Sequence, residues 1–185
     1  MQKDWKKAEE ILKSGGVVVL PTDTLYGVIG SALSKKVVER IYKMKGRIDN
    51  KPFIILINSY KQLEIFGIKL GKKEIKFLEK FWPGKVSVIL PCELSKWKYI
   101  HRGVDSIAFR MLGQKNKKLF NLIEKVGPIV APSANTEGEM PARNITEAKR
   151  YFNGNIDLYI SLGTRISKPS KIIKYENGEL VIIRK

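Results

Sequence analysis

The feature that most constrains this chain is a set of short, fully apolar runs that alternate with amphipathic helical segments. Residues 17–20 form one such run, Val-Val-Val-Leu, which Pro21 ends, and residues 53–57 form another. A run that is apolar at every position is typical of a strand covered on both faces, because a half-exposed strand alternates instead. The sequence therefore predicts a sheet with helices packed on it.

The segments around these runs have helical periodicity. Asp4 can cap a first helix that a glycine pair ends, and Ser34 can open a second. A third helix is predicted before Pro83, which cannot continue it, a fourth over Lys117–Val126, and a short one near residue 150. The apolar positions of these helices are Trp5, Ala8, Ile11 and Leu12; Val37, Val38, Ile41 and Tyr42; Ile75, Leu78, Phe81 and Trp82; Leu119, Leu122, Ile123 and Val126; and Ala148, Tyr151 and Phe152.

Further strands are predicted in the second half of the chain. They cover residues 86–90, 106–111 and 129–131, and residues 172–175 and 180–183 read as a hairpin around Asn177-Gly178. Strands that alternate with helices predict an α/β fold, here a twisted mixed sheet flanked by helices. With 185 residues and 43% hydrophobic composition, we expect a single domain over residues 1–185.

The charge is lopsided: 35 Lys and Arg against 18 Asp and Glu give a formal net charge of +17. Such a surface attracts polyanions such as nucleotides or RNA, although lysine-rich surfaces also occur for solvation alone. One cysteine and one histidine exclude an intrachain disulfide and disfavour a zinc cage or a Ser-His-Asp triad. The N-terminus is charged and no apolar stretch reaches the ~20 residues that span a bilayer, so we expect a soluble, cytoplasmic protein without a membrane partner.

Four polar segments stand at predicted strand or helix ends, where α/β proteins bind ligands. They are residues 21–27 (PTDTLYG), 45–47 (KGR), 132–135 (PSAN) and 168–170 (KPS). Each taken alone is also explained as a turn.

Two of these segments carry paired polar side chains. In an extended segment, Lys45 and Arg47 would point to one side and clamp phosphates, although cations also favour a helix C-terminus. Ser133 and Asn135 would likewise offer a hydroxyl and an amide to phosphate or ribose. There is no GxxxxGK[ST] and no GxGxxG, which disfavours a P-loop ATPase or a dinucleotide enzyme.

The ordered motifs PTDTLYG, KGR, FWPGKVSVIL, SIAFR, PSAN and KPS, followed by a terminal apolar strand with an arginine, resemble the YrdC/Sua5 family of threonylcarbamoyl-AMP synthases, in its short, single-domain bacterial (TsaC-like) form. The resemblance runs from about Gly15 to Arg184. It implies a YrdC-like fold around a positively charged cavity. It also implies a nucleotidyltransferase that forms threonylcarbamoyl-AMP and pyrophosphate from L-threonine, bicarbonate and ATP, for the t6A37 modification of tRNA.

The resemblance also implies roles for individual residues. Catalytic stabilisation of the phosphates would come from Lys45 and Arg47, with Mg²⁺ brought by ATP and no metal ligand from the protein. ATP would be bound by Lys45, Arg47, Lys51, Ser106, Ser133, Asn135 and Arg184. L-threonine would be bound by Thr24, Arg110, Ser170 and the segment at Ala131, with Arg110 holding its carboxylate.

Two positions depart from the pattern of the long-form relatives, and a third has two candidate roles. Leu56 stands where some long-form relatives have a histidine that contacts threonine, and Lys171 stands where long forms have a threonine. Asp23 is a candidate for assisting the metal or the amine, or for capping a turn.

Two alternative functions remain at this point. One is a double-stranded RNA or tRNA-binding module without catalysis, whose binding should weaken steeply with salt. The other is a carbamoyl transferase similar to the YrdC-like domain of hydrogenase-maturation proteins, which carry additional zinc-finger and acylphosphatase-like domains. Transferase proteins of the t6A pathway are candidate partners, because a labile product benefits from direct transfer.

Overall fold

The computed structural model describes residues 2–47, 51–176 and 179–185 of the chain. Its helices are α1 (Gln2–Lys13), α2 (Lys35–Lys45), α3 (Lys61–Glu64), α4 (Lys72–Leu78), α5 (Lys98–His101), α6 (Lys117–Val126) and α7 (Ile145–Phe152). Its strands are β1 (Val18–Pro21), β2 (Tyr26–Ser31), β3 (Ile55–Ile57), β4 (Val86–Pro91), β5 (Ser106–Met111), β6 (Ile129–Val130), β7 (Leu158–Tyr159), β8 (Lys171–Glu176) and β9 (Glu179–Arg184).

These strands form one mixed sheet in the order β7-β1-β2-β6-β3-β5-β4-β8-β9. The pairs β1–β7, β3–β5 and β4–β8 are parallel, and the remaining neighbours are antiparallel. The predicted α/β class, a twisted mixed sheet flanked by helices, is confirmed.

Both faces of the sheet are covered. Side chains of successive strand residues point to opposite faces, and in β1 Val19 packs in one apolar cluster whereas Val18 and Leu20 pack in another. Helix α2 adds its buried stripe to the first cluster, and α1 and α6 add theirs to the second. The apolar run at residues 17–20 is therefore explained by burial on both sides, as predicted.

Strand β2 is an element that the sequence pattern did not predict. It contains Gly27 and Gly30, and glycine weakens a strand pattern. A Cβ at Gly30 would lie 2.4 Å from Val37 Cγ1 and 2.8 Å from Ile41 Cδ1. Glycine is required there because α2 packs directly on the strand backbone.

The helix predicted up to Trp82 is shorter than expected. Helix α4 ends at Leu78, and Phe81 and Trp82 lie in the following turn, where both N–H groups donate to the Leu78 carbonyl oxygen. Trp82 is still buried, and its Nε1 donates to Val86 O at 2.8 Å. The spacing of apolar residues indicates which side chains are buried, not which backbone conformation buries them. This turn buries Trp82 as a further turn of helix would, so the helix was predicted too long.

The C-terminal hairpin is confirmed, because β8 and β9 pair antiparallel. The predicted turn residues Asn177 and Gly178 lie outside the described residues. Within the described part of the chain, no helix is long and apolar enough to cross a membrane.

Candidate functional site

A cavity of about 170 Å³ lies where the carboxyl ends of β1 and β5, the loops after α2 and β6, and the start of β8 converge. Seven residues predicted as site residues line it: Thr24, Arg47, Arg110, Ala131, Ser133, Ser170 and Arg184. The other lining residues are Thr22, Leu25, Tyr26, Gly27, Pro52, Phe53, Ile54, Pro132, Pro141, Pro169 and Ile172. Three guanidinium groups thus face a cavity whose described lining contains no acidic residue.

The three arginines affect one another electrostatically. Burial, and then the like charge of Arg47, lower the pKa of Arg184. Burial also lowers the pKa of Arg110, and the charge of Arg184 adds to that effect while the Asp23 carboxylate opposes it. A bound anion would relieve this repulsion, so the cavity favours negatively charged ligands.

Lys45 does not share the position of Arg47, which corrects the prediction of an extended segment with both cations on one side. Lys45 is the last residue of α2, and Gly46 ends the helix in the left-handed conformation (φ 58°). The Lys45 side chain is 1% exposed and is not among the cavity-lining residues. A helix end turns successive side chains by about 100° each, so the two cations diverge.

The Lys45 ammonium instead supports the loop at residues 133–135 from behind. It donates to Ser133 O at 2.7 Å, to Asn135 O, and to Asn135 Oδ1 at 3.3 Å. These three acceptors match the three donors of an ammonium group. Burial, with a smaller effect of Arg47, lowers the pKa of Lys45 to about 7.

Ser133 and Asn135 also divide their tasks. Ser133 lines the cavity, and its Oγ donates to Asn135 Oδ1 at 2.6 Å. The Asn135 amide donates to the carbonyl oxygens of Thr136 and Glu139 at 2.9 and 2.7 Å, and the residue is not among those that line the cavity. Asn135 therefore shapes the loop, whereas the Ser133 hydroxyl faces the ligand space.

Arg110 and Asp23 form a buried ion pair at the floor of the cavity. Arg110 Nη2 lies 2.9 Å from Asp23 Oδ1, and each side chain is 4% exposed. Parallel pairing of β3 with β5 places Arg110 opposite Leu56. The Leu56 side chain is apolar and fully buried in the core, so it offers no hydrogen bond to a ligand beside Arg110.

Ser170 is fixed from two sides. Its hydroxyl lies 3.0 Å from Ser87 Oγ, and Arg184 Nε and Nη2 donate to its carbonyl oxygen at 3.0 and 2.8 Å. Strand β9 therefore holds the start of β8 through Arg184. The neighbouring Lys171 side chain is exposed, which agrees with the expectation that it points outward.

Thr24 and Thr22 form the tight turn between β1 and β2. The Thr22 hydroxyl donates to Leu25 O at 2.8 Å and accepts the Thr24 N–H at 3.2 Å. Thr22 thus has the turn-forming role that the sequence left open for this segment. The turn places Thr24 in the cavity lining.

Two more predicted ATP contacts, besides Lys45 and Asn135, lie outside this lining. Ser106 is the first residue of β5, four residues before Arg110, and its hydroxyl donates to Val104 O at 3.3 Å. Lys51 is half exposed, and its Nζ lies 3.1 Å from Glu137 Oε1. Their contacts with ATP stay predictions.

Sequence reasoning missed Glu137 and Ser87. Glu137 contacts Arg47 as well as Lys51, with 3.0 Å between Glu137 Oε2 and Arg47 Nη1. Its position two residues after the PSAN motif was a usable signal, whereas Ser87 lies in an ordinary strand pattern. Among the described residues, no group of three or more His, Cys, Asp or Glu could hold a metal ion.

A larger groove of about 840 Å³ adjoins the cavity and shares Leu25, Pro141 and Pro169 with it. Its lining includes Arg143, Arg150 and Arg165 and one carboxylate, Glu147, which lies 3.2 Å from Arg143 Nη2. The described lining of the groove thus carries three arginines and one acid, a net positive charge next to the cavity.

Comparison with known proteins finds relatives that match almost the whole chain. A threonylcarbamoyl-AMP synthase of Pyrococcus abyssi is 33% identical over 186 residues, covering 98% of this chain and 54% of the relative. One from Cellvibrio japonicus is 30% identical over 176 residues, covering 94% of this chain and 92% of the relative. The chain thus spans about half of the first relative and nearly all of the second.

A solved structure gives the same result at the level of the fold. The crystal structure of Pyrococcus abyssi Sua5 complexed with L-threonine superposes with a TM-score of 0.88 at 31% identity, covering 100% of this chain and 54% of that protein. The family model for Sua5, YciO and YrdC, described as "Telomere recombination", matches residues 10–185. The chain belongs to the Sua5–YciO–YrdC family.

Proposed function

We propose that this chain is a threonylcarbamoyl-AMP synthase, which joins L-threonine, bicarbonate and ATP and releases pyrophosphate. The observation that carries the proposal is the meeting of Arg47, Arg110 and Arg184 with the hydroxyls of Thr24, Ser133 and Ser170 in one cavity. Relatives that match nearly the whole chain carry the same name.

The floor of the cavity suits an α-amino acid. Arg110 offers a planar pair of donors for a carboxylate, and its Nε has no hydrogen-bond partner in the described protein although it is buried. The hydroxyls of Thr24 and Ser170 flank the same space. We propose that L-threonine binds here, with its amine toward the Asp23 side of the ion pair.

The mouth of the cavity suits phosphate groups. Arg47 and Ser133 line the cavity, and Lys45 holds the Ser133 backbone in place but is not part of the lining. We therefore assign Arg47 to the phosphates as a catalytic residue and Lys45 as a positioning residue. The adjoining groove leaves room for the rest of the nucleotide.

The chemistry requires no protein nucleophile. The amine of threonine adds to CO₂ derived from bicarbonate, forming a C–N bond and losing a proton. An oxygen of the resulting carbamate forms a bond to the α-phosphorus of ATP, and the bond from that phosphorus to the bridging oxygen breaks, so pyrophosphate leaves. Positioning of the two reactants and fixed positive charge at the phosphates lower the barrier.

Magnesium would arrive bound to ATP, as part of that substrate. A divalent ion carried by the triphosphate would neutralise charge on the leaving pyrophosphate, and Arg47 would add to that effect. We propose that the phosphates supply most of its ligands.

Use of the product in tRNA modification, direct tRNA binding and transfer to a second protein remain predictions. The +17 charge and the arginines along the groove support contact with an RNA. They equally support retention of a nucleotide.

The test is threonine-dependent release of pyrophosphate. The purified protein is incubated with ATP, Mg²⁺ and bicarbonate, with and without L-threonine, beside the variants Arg47→Met and Ser133→Ala and the surface control Arg40→Met. We expect release that requires both threonine and bicarbonate and falls about 100-fold in Arg47→Met, as expected when a charge-stabilising donor is removed. The control variant should keep wild-type activity. No threonine-dependent release, together with tight, salt-sensitive tRNA binding, would favour the RNA-binding module instead.

A further inference from the structure

The Glu137 carboxylate contacts two cations, Arg47 of the cavity lining and Lys51 just outside that lining. Its Oε2 lies 3.0 Å from Arg47 Nη1 and its Oε1 lies 3.1 Å from Lys51 Nζ, so each oxygen has one cation. A phosphate group is also negatively charged, and it can accept hydrogen bonds from the Arg47 guanidinium as a carboxylate does.

Several contacts hold this arrangement in place. The Glu137 N–H donates to Lys45 O at the end of α2, at 2.8 Å. Arg47 Nε donates to Lys51 O at 2.9 Å, and the guanidinium lies 5.2 Å from the Phe53 ring centroid. The carboxylate therefore meets a guanidinium that is already oriented, rather than a freely moving side chain.

The ion pair persists at neutral pH. The hydrogen bond from Lys51, with smaller effects of the Arg47 charge, lowers the pKa of the Glu137 carboxyl below its usual value. The side chains of Arg47 and Glu137 are 23% and 26% exposed, so solvent weakens the pair without removing it.

We propose that Glu137 is an internal competitor for the anion site of Arg47, and that its carboxylate must leave this position when phosphate groups bind. The inference rests on the proposed function insofar as the anion is the triphosphate of ATP. Glu137 would then weaken the binding of every phosphate ligand that contacts Arg47.

This competition raises the concentration at which any phosphate ligand occupies the site, and an anion with few contacts is affected first. An anion that contacts only Arg47 and Lys51 gains little over the carboxylate that it displaces. A nucleoside triphosphate also reaches Ser133 and Arg184, so it gains contacts for which Glu137 does not compete. Glu137 would thereby keep small phosphate anions out of the site at low concentration.

The experiment compares wild type with Glu137→Gln, using calorimetric titration of magnesium-free pyrophosphate, of ATP and of L-threonine. Glu139→Gln is the matched control, because it removes the same charge from an exposed side chain of the same loop. We expect Glu137→Gln to bind pyrophosphate and ATP roughly tenfold more tightly, the size expected for two half-exposed ion pairs. Its affinity for threonine, and all affinities of Glu139→Gln, should stay within about twofold of wild type.

Glu137→Ala provides a second variant. It should show the same tightening, since the effect comes from the negative charge and not from the replacement amide. Unchanged or weaker pyrophosphate binding in both variants, or no binding by any of the proteins, would overturn the inference. Weaker binding of ATP only when Mg²⁺ is present would also overturn it, because it would assign Glu137 to the metal.

The two proposals fail separately. Wild type that binds ATP but releases no threonine-dependent pyrophosphate would refute the synthase reaction, and the titrations would still decide the role of Glu137. Active wild type with unchanged binding in Glu137→Gln would refute only the competition.

Discussion

Lys45 donates a 2.7 Å hydrogen bond to the carbonyl oxygen of Ser133. The end of α2 is thereby tied to the loop that presents the Ser133 hydroxyl to the cavity, across 88 residues of sequence. A lysine that the motifs assign to the phosphates is in this structure a support for the cavity-lining residue Ser133.

Replacement of Lys45 by methionine tests this role. The variant leaves Asn135 O without its buried donor, so we expect the free energy of unfolding to fall by about 1–2 kcal/mol and the KM for ATP to rise roughly tenfold. Urea denaturation and initial rates at varied ATP measure the two effects. Lys43→Met, an exposed position on the same helix, is the control. Lower stability with an unchanged KM for ATP would limit Lys45 to a role in folding.

Arg110 is predicted to determine threonine binding. Arg110→Lys keeps a positive charge beside Asp23 but loses the paired donors, so the KM for threonine should rise at least about tenfold while the KM for ATP stays constant. Arg110→Met should be far more damaging, with a loss of about 3–5 kcal/mol in stability, because it leaves the Asp23 carboxylate buried without its partner.

Arg40 and Asp157 provide the matched comparison for this buried pair. Their Nη1–Oδ2 distance is 2.7 Å, but the side chains are 36% and 39% exposed. Arg40→Lys should therefore change stability by less than about 1 kcal/mol and leave both KM values unchanged. Equal changes in stability and in KM after substitution of Arg40 and of Arg110 would contradict the view that burial makes the Arg110–Asp23 pair the stronger contributor.

Arg184 is predicted to serve both substrates. Its two donors to Ser170 O hold the start of β8, and the same guanidinium lines the cavity. Arg184→Lys, with one donor group in place of the fork, should raise the KM for threonine and for ATP several-fold each. A rise in only one KM, measured with the other substrate saturating, would assign Arg184 to that substrate alone.

Asp157 is predicted to contribute stability that depends on pH. Hydrogen bonds from Arg40, and then from the Val17 N–H, lower its pKa below the ordinary value of 3.8. The folded state therefore binds its proton less readily than the unfolded state. The contribution is complete above pH ~4 and is lost as the pH falls through the lowered pKa.

Urea denaturation of wild type and Asp157→Asn at pH 7 and at pH 3 checks this direction. At pH 7 we expect the variant to be less stable by about 1 kcal/mol, a value that allows for solvent screening of a half-exposed pair. The difference should shrink at pH 3. Glu10→Gln, on an exposed part of α1, should show no such change, and a difference that grows at low pH would refute the assignment.

Much of the fold could be predicted because it depends on local patterns. The run at residues 17–20 predicted a strand covered on both faces, and the stripe that begins at Val37 predicted α2. Prediction from local patterns was wrong at two elements. Gly27 and Gly30 interrupt the pattern of β2, so that strand was not predicted, and the buried Trp82 made a turn resemble a further turn of helix.

The site was predictable as a set of residues but not as an arrangement. Most residues named from the motifs do line one cavity, as their places at strand ends suggested. Whether Lys45 or Arg47 lines the cavity was not predictable. The answer depends on the left-handed turn at Gly46 and on how the loop at residues 133–135 packs against the end of α2.

The sequence by itself determined most of the strands and helices, the positive charge and the motifs of the family, since each can be seen without knowing which distant residues meet. Only the tertiary structure decided that Lys45 is buried, that Asp23 pairs with Arg110, and that Glu137 covers Arg47. These contacts join residues as many as 90 positions apart, and their geometry follows from how the sheet brings distant loops to one edge.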